Sequence, residues 1–166
     1  MSFEKYPVKN LPVKILDGDR GKEYPKQSDF YNKGFCLFLN IGNVTSNGFV
    51  FTNCSFISQE RHNRLRKGTL KRGDIVLTTR GTVGNCAFYE SRIPFEVVRI
   101  NSGMIILRTE EGLEAKYLYF FLRSKLFSKQ VEALRTGSVQ PQLPIRDIRE
   151  IVIPKPPIRD QKAIAH

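Results

Sequence analysis

The chain has little of what enzyme sites are usually built from. Its only histidines are His62 and His166, and its three cysteines, Cys36, Cys54 and Cys86, are odd in number. No pair among them has metal-ligand spacing, which argues against a zinc site, and a disulfide framework fits an odd count still less. The cysteines fall inside strand-like runs, as expected of buried, reduced thiols. No apolar run approaches the roughly 20 residues of a membrane span, and Met1 to Asn10 holds no apolar signal core. A soluble, cytoplasmic protein is expected. Asp17 and Asp19 lack the further ligands and distal Glu of a calcium loop, so they read as a turn. Gly81 and Gly84 are not followed by the Gly-Lys-Ser/Thr of a phosphate-binding loop. No Ser/His/Asp set can be assembled, and no glycine-rich strand–loop–helix marks a methyl-donor pocket. The expectation is a protein without cofactor, metal or catalytic residues.

Acidic residues are also scarce. Lys and Arg total 27 against 16 Asp and Glu, a formal net charge of +11 over 166 residues, the size of one domain. With 40% hydrophobic residues the chain can fill a core. A basic domain of this size prefers a polyanion, with nucleic acid first and an acidic membrane second. A membrane partner calls for a basic amphipathic helix or a terminal polybasic run, and neither is visible. The densest basic stretch is Gln59 to Arg72, where Arg61, Arg64, Arg66, Lys67, Lys71 and Arg72 face only Glu60. Two readings of it stay open, a solvated helix and turn or a phosphate-contacting face.

Hydrophobic periodicity divides the chain. Residues 1–33 read as irregular, with turn chemistry at Asp17-Gly18-Asp19-Arg20-Gly21 and Tyr24-Pro25. Phe35 to Ile41 is a compact apolar run suited to a strand buried on both faces. Asn47-Gly48 marks a tight turn before Phe49, and 54–58 fits a short strand. Gly73 to Thr79 and Asn85 to Tyr89 read as a hairpin, and 95–100 with 103–108 as a further strand pair. The period then becomes helical: Tyr117, Leu118, Phe121 and Leu122 share one face, and Phe127, Val131 and Leu134 share another, with Gly137 as C-cap. A last strand is expected over Ile148 to Ile153, and helical turns from Ile158. There is no internal repeat. Strands, then a helical pair, then one strand indicate an α+β domain on a twisted, strongly curved, mostly antiparallel sheet.

The segment Thr136-Gly137-Ser138-Val139-Gln140-Pro141-Gln142-Leu143-Pro144 lies between helix-like and strand-like stretches. On its own, Gln-Pro-Gln is a rigid turn. Each glutamine also carries the donor and acceptor needed for bidentate reading of an adenine edge. Six blocks in order then resemble one family. They are Leu16 to Pro25, the hairpin Lys71 to Gly84 with its Gly-Asp and Arg-Gly-Thr-Val-Gly elements, Asn101-Ser102-Gly103, Tyr117 to Ser124, Gly137 to Leu143, and Ile153 to Gln161. Each is weak alone, but the ordered set is strong and spans nearly the whole chain. It resembles a target recognition domain of the DNA specificity subunits of type I restriction–modification systems.

The resemblance implies a non-catalytic reader of one half of a bipartite double-stranded DNA target. In the family such domains alternate with long spacer helices, and the subunit carries modification and restriction motor subunits. Residues 1–157 would be the recognition domain and 158–166 the start of a truncated spacer helix, which in a full-length chain would also mediate self-association. DNA contacts are expected from Arg20, Lys22, Lys26, Arg61, Arg64, Arg66, Lys67, Arg80, Thr82, Ser138, Gln140 and Gln142. The basic members would set the domain on phosphates, and the loop residues would approach bases or backbone. The rival from another class is a protein–protein assembly or decoy module with vestigial DNA binding.

Overall fold

The computed structural model describes residues 2–135 and 141–166. The chain opens with β1 (Lys5–Pro7) and β2 (Val13–Asp17). β2 lies in the stretch expected to be irregular: five residues between Pro12 and Asp17-Gly18 are too short for their period to stand out from the turn signals around them. β3 (Cys36–Phe38) is buried along its whole length, as the apolar run required. The run does not continue to Ile41, because Ile41–Asn43 forms a single 3-10 turn. There the buried Asn43 donates to the carbonyls of Val50 and Asn53 and accepts the Asn40 amide. β4 (Val44–Thr45) and β5 (Gly48–Phe49) form the expected tight hairpin, with Gly48 at φ 100°.

β6 (Ser55–Ile57) leads into α1 (Gln59–Arg64), whose N-cap Ser58 accepts the Arg61 amide at 3.1 Å. β7 (Ile75–Thr78) and β8 (Cys86–Phe88) pair as the expected hairpin. β9 (Val98–Arg99) and β10 (Met104–Thr109) precede α2 (Ala115–Leu122) and α3 (Lys125–Leu134), the C-terminal helical pair. The strand expected over Ile148 to Ile153 is shorter. Pro144 caps a helical turn, α4 (Ile145–Ile148), and only β11 (Val152–Pro154) is extended. Ile148 and Ile151, three apart, bury on one side of that turn, so their spacing was helical. α5 (Ile158–Ile164) follows the prolines, where helical turns were expected.

The class is α+β and the pairing mostly antiparallel, but it divides into separate open sheets. One has the order β2-β10-β7-β8, a second β6-β3-β9, and β1-β11 and β4-β5 form two-stranded pairs. The sole parallel pairing among the described residues is β3 with β9. β9 and β10 were expected to pair with each other, and they do not. β9 joins β3, while β10 runs between β2 and β7. Asn101-Ser102-Gly103 carries the chain from one sheet to the next. The Gly103 carbonyl accepts the amides of Thr79 and Arg80, which extends the β10–β7 contact. Gly18 packs against the same crossing, where a Cβ would lie 2.7 Å from the Asn101 carbonyl oxygen. That close approach, not turn chemistry alone, demands glycine.

β7 and β10 explain how the layers stack. In β7, Ile75 and Leu77 point into a core shared with Leu118, Phe121, Leu122, Phe127 and Val131 of the helices. Val76, one residue out of phase, points into the opposite core with Leu37, Leu39, Val98 and Ile100. A strand covered on both faces reads as an unbroken apolar run. Each such buried side chain contributes about 1.5–3 kcal/mol. α5 is tied to the rest of the fold through one buried polar side chain. The wholly buried Gln161 accepts the Glu114 amide at the start of α2 and donates to the carbonyls of Gly112 and Pro156.

Candidate nucleic-acid interface

The basic stretch Gln59 to Arg72 is not one uniform surface. Arg61 is turned inward, bonding Glu23 at 3.0 Å and Asp29 at 3.1 Å. Arg72 lies over the Tyr89 ring, its carbon 4.2 Å from the centroid, and donates to the carbonyls of Glu90, Ile93 and Phe95. Both guanidinium groups are committed to tying loops down. Arg64 is exposed and shares an i,i+4 contact with Glu60 at 2.6 Å. The side chains of Arg66 and Lys67 are exposed and make no hydrogen bond or ion pair among the described residues.

The turn that presents Arg66 and Lys67 is held from two sides. The Asp19 carboxylate accepts both their amides, at 2.6 and 3.2 Å. Burial works against that charge, but the amides of Arg66, Lys67, Gly21 and Arg20 outweigh it and hold the Asp19 pKa below its ordinary value. From the opposite side the buried Arg99 of β9 donates to His62 Nδ1 (2.8 Å), the His62 carbonyl (3.1 Å), the Leu65 carbonyl (3.2 Å) and the Lys67 carbonyl. Among the described residues no carboxylate pairs with Arg99, and burial lowers its pKa. His62 is likewise held below its usual pKa, by burial and then by the Arg99 charge. Because Arg99 Nε donates to Nδ1, the imidazole is neutral there, with its proton on Nε2.

Two adjoining clefts gather the expected site residues. Lys22, Arg64 and Arg66 line one, together with Asp19 and Glu23. Arg20, Arg80 and Gln142 line the other, with Asp17 and Pro144. Arg20 is held at the second cleft by donating to Asp17 (3.2 Å) and to the Ser102 carbonyl (3.3 Å). Arg80 and Gln142 are fixed side by side by an antiparallel bridge, and the Leu143 amide donates to Thr79 at 2.9 Å. The end of the Gln-Pro-Gln loop is thus joined to the tip of β7.

The structure leaves other expected residues apart. Lys26 caps a short turn through its backbone and lines neither cleft. Thr82 is exposed in the β7–β8 turn, its carbonyl accepting from the Thr78 hydroxyl, and also lines neither. Arg61 is bound up with carboxylates, as above. Ser138, Gln140 and the Gly137 cap lie outside the described residues.

Sequence reading missed Arg99 and the pair Arg108–Asp74. Arg108 grips the buried Asp74 carboxylate with two contacts, at 2.7 and 2.8 Å, and Asp74 also accepts the Lys71 amide. The Gly-Asp element therefore closes the basic stretch from its C-terminal end. An arginine inside a strand flanked by Val98 and Ile100 was the available signal for Arg99, since a charge in an apolar run needs partners. Cys36 and Cys86 are pushed up to about 12 by burial, so neither is a thiolate at neutral pH. Among the described residues no cluster of His, Cys, Asp or Glu is placed to hold a metal ion, and no helix is long and apolar enough to cross a membrane. The arrangement offers exposed cations along two clefts, which can bind a polyanion.

Comparison with known proteins bears on this arrangement. The family model described as "Type I restriction modification DNA specificity domain" matches residues 13–166. The MjaVIII specificity subunit of a type I restriction enzyme from Methanocaldococcus jannaschii is 29% identical over 180 aligned positions. That match takes in 99% of this chain and 41% of the relative, so the chain spans about two-fifths of that protein's length. Among solved structures, the HsdS subunit from Thermoanaerobacter tengcongensis superposes with a TM-score of 0.67 at 18% identity, over 99% of this chain and 35% of that one. The type I S subunit from M. genitalium does so with a TM-score of 0.63 at 18% identity, over 99% and 37%. These similarities share the fold.

Proposed function

The chain belongs to the type I restriction–modification DNA specificity family, and from that premise we propose that it reads one half-site of duplex DNA without chemistry of its own. The observation that carries the proposal is the convergence of exposed cations from distant parts of the chain. Lys22, Arg64 and Arg66 meet at one cleft, and Arg20 and Arg80 meet Gln142 at the next. Phosphate contacts fix register and base-edge contacts give sequence. In this reading Lys22, Arg64, Arg66 and Lys67 sit on the backbone. Arg20, Arg80 and Gln142 face base edges, where arginine suits guanine and glutamine suits adenine. In the same reading Ser138, Gln140 and Thr82 supply further contacts to bases or backbone, and Lys26 adds long-range attraction. Residues 1–157 are the recognition domain. α5 is the start of a spacer helix through which a longer protein would engage modification and restriction motor subunits.

A salt titration tests this. If about five phosphates are neutralised, the affinity for duplex DNA falls with a log–log slope near −4 to −5. Fluorescence anisotropy that shows no binding at low salt, or binding with a slope near zero, overturns the reading.

A further inference from the structure

We infer that Arg99 is a positioning residue for DNA recognition, acting through the shape of the His62–Lys67 turn. The inference rests on the DNA reading above and adds a residue that never meets the ligand. Arg99 is only 4% exposed, too deep in the fold to reach a phosphate. Its donors go to one ring nitrogen and three carbonyls, all between His62 and Lys67. Those carbonyls run from the last turn of α1 into the turn that follows it, a stretch in which the Leu65 side chain is buried while Arg64, Arg66 and Lys67 are exposed.

Among the described residues the local sequence does little to fix that pattern beyond the Leu65 amide bonding the His62 carbonyl at 3.2 Å. Gly68 is at φ 91° and Leu65 supplies a single apolar anchor. Asp19 accepts the amides of Arg66 and Lys67, and Arg99 donates to the carbonyls of Leu65 and Lys67, so the Leu65–Arg66 peptide is gripped at both its amide and its carbonyl. That peptide is held from both sides, with Lys67 held at its own amide by Asp19 and its own carbonyl by Arg99, and the Arg66 and Lys67 side chains are aimed from this fixed backbone. A buried guanidinium without a carboxylate is costly unless its donors are met. Here four acceptors from one short turn meet them, so the arginine and the turn define each other. Lysine cannot replace it, because a single ammonium cannot span acceptors set around a planar fork.

The test compares Arg99→Met and Arg99→Lys with Leu118→Ala, a core change in α2 far from the turn. Each variant is measured in the 166-residue chain for melting temperature, amide exchange at Arg66 and Lys67, and salt dependence of duplex binding. Loss of folded fraction lowers the active concentration and leaves the salt slope alone, so Leu118→Ala should keep it. Arg99→Met should make the slope shallower by about two, since Arg64, Arg66 and Lys67 no longer act together. It should also open the Arg66 and Lys67 amides to exchange while strand β10 stays protected. Arg99→Lys should fall between Arg99→Met and the parent. A parent that binds with a slope unchanged in Arg99→Met overturns this inference and leaves the DNA reading standing. A parent that binds no duplex overturns both.

Discussion

Replacing Arg61 and Arg66 in turn separates structural cations from contact cations within one basic stretch. Arg61 is about one-fifth exposed and bridges Glu23 and Asp29, which are 37% and 22% exposed. Hydrogen bonds to charged groups contribute about 1.5–3 kcal/mol when sheltered, while exposed pairs contribute about 0.2–1 kcal/mol. The partial exposure of both carboxylates places Arg61→Ala at a loss of about 1–2 kcal/mol. For a chain of this size each kcal/mol shifts the melting temperature by about 2–4 °C, giving a drop of about 2–8 °C. Arg66→Ala removes a side chain with no partner among the described residues, so its stability change should stay within about 0.5 kcal/mol. Its effect should fall on the salt dependence of DNA binding, which becomes shallower by about 0.9 for one lost phosphate contact. Thermal melts and anisotropy at four salt concentrations read both effects. If Arg61→Ala flattens the slope at unchanged melting temperature, or Arg66→Ala lowers melting with an unchanged slope, the division of the stretch is wrong.

Three further outcomes are expected. Arg108→Met leaves the Asp74 carboxylate, 2% exposed, without its guanidinium; a loss of about 3–5 kcal/mol in urea unfolding is expected, and a loss under about 1 kcal/mol counts against the pair. Burial and Arg99 hold the folded pKa of His62 below that of unfolded imidazole, so between the two values the unfolded chain binds more protons. The stability it contributes is present above about pH 6.5 and is lost as pH falls through the folded value; the parent should therefore lose more stability than His62→Gln between pH 7 and pH 5, and equal losses refute this. Iodoacetamide at pH 8 should leave Cys36 and Cys86 unmodified until the chain unfolds, since burial pushes both to about 12; rapid native labelling of either, read by mass spectrometry, would show their burial to be wrong.

The parts of the fold legible in the sequence were those with long or punctuated periods. The β7–β8 hairpin was marked by its flanking glycines, and α2 and α3 by apolar spacing over whole turns. The Asn47-Gly48 turn followed from backbone sterics alone. β2 was hidden because its partner, β10, lies far along the chain and its own five residues are bracketed by turn formers. The parallel β3–β9 pairing was invisible for the same reason, since no local pattern distinguishes a strand that pairs with its neighbour from one that crosses sheets. The site was legible as a region but not as roles. Arg61, Arg64, Arg66 and Arg72 look alike in sequence. Whether each faces a carboxylate, an aromatic ring or solvent depends on Glu23, Asp29, Tyr89 and the 90–96 loop, all brought in by tertiary packing. The meeting of Arg20, Arg80 and Gln142 depends on the Asn101–Gly103 crossing and the Arg80–Gln142 bridge, which no spacing rule announces.

On the proposed reading, this surface recognises duplex DNA by sequence. Selection of bound duplexes from a randomised pool, sequenced over successive rounds with the parent and with Gln142→Ala, tests it most directly. The parent should enrich one short motif, and Gln142→Ala should relax one position of it, by about 1–3 kcal/mol of discrimination, while retaining overall affinity. A parent pool that stays random while binding persists would contradict sequence reading by this domain.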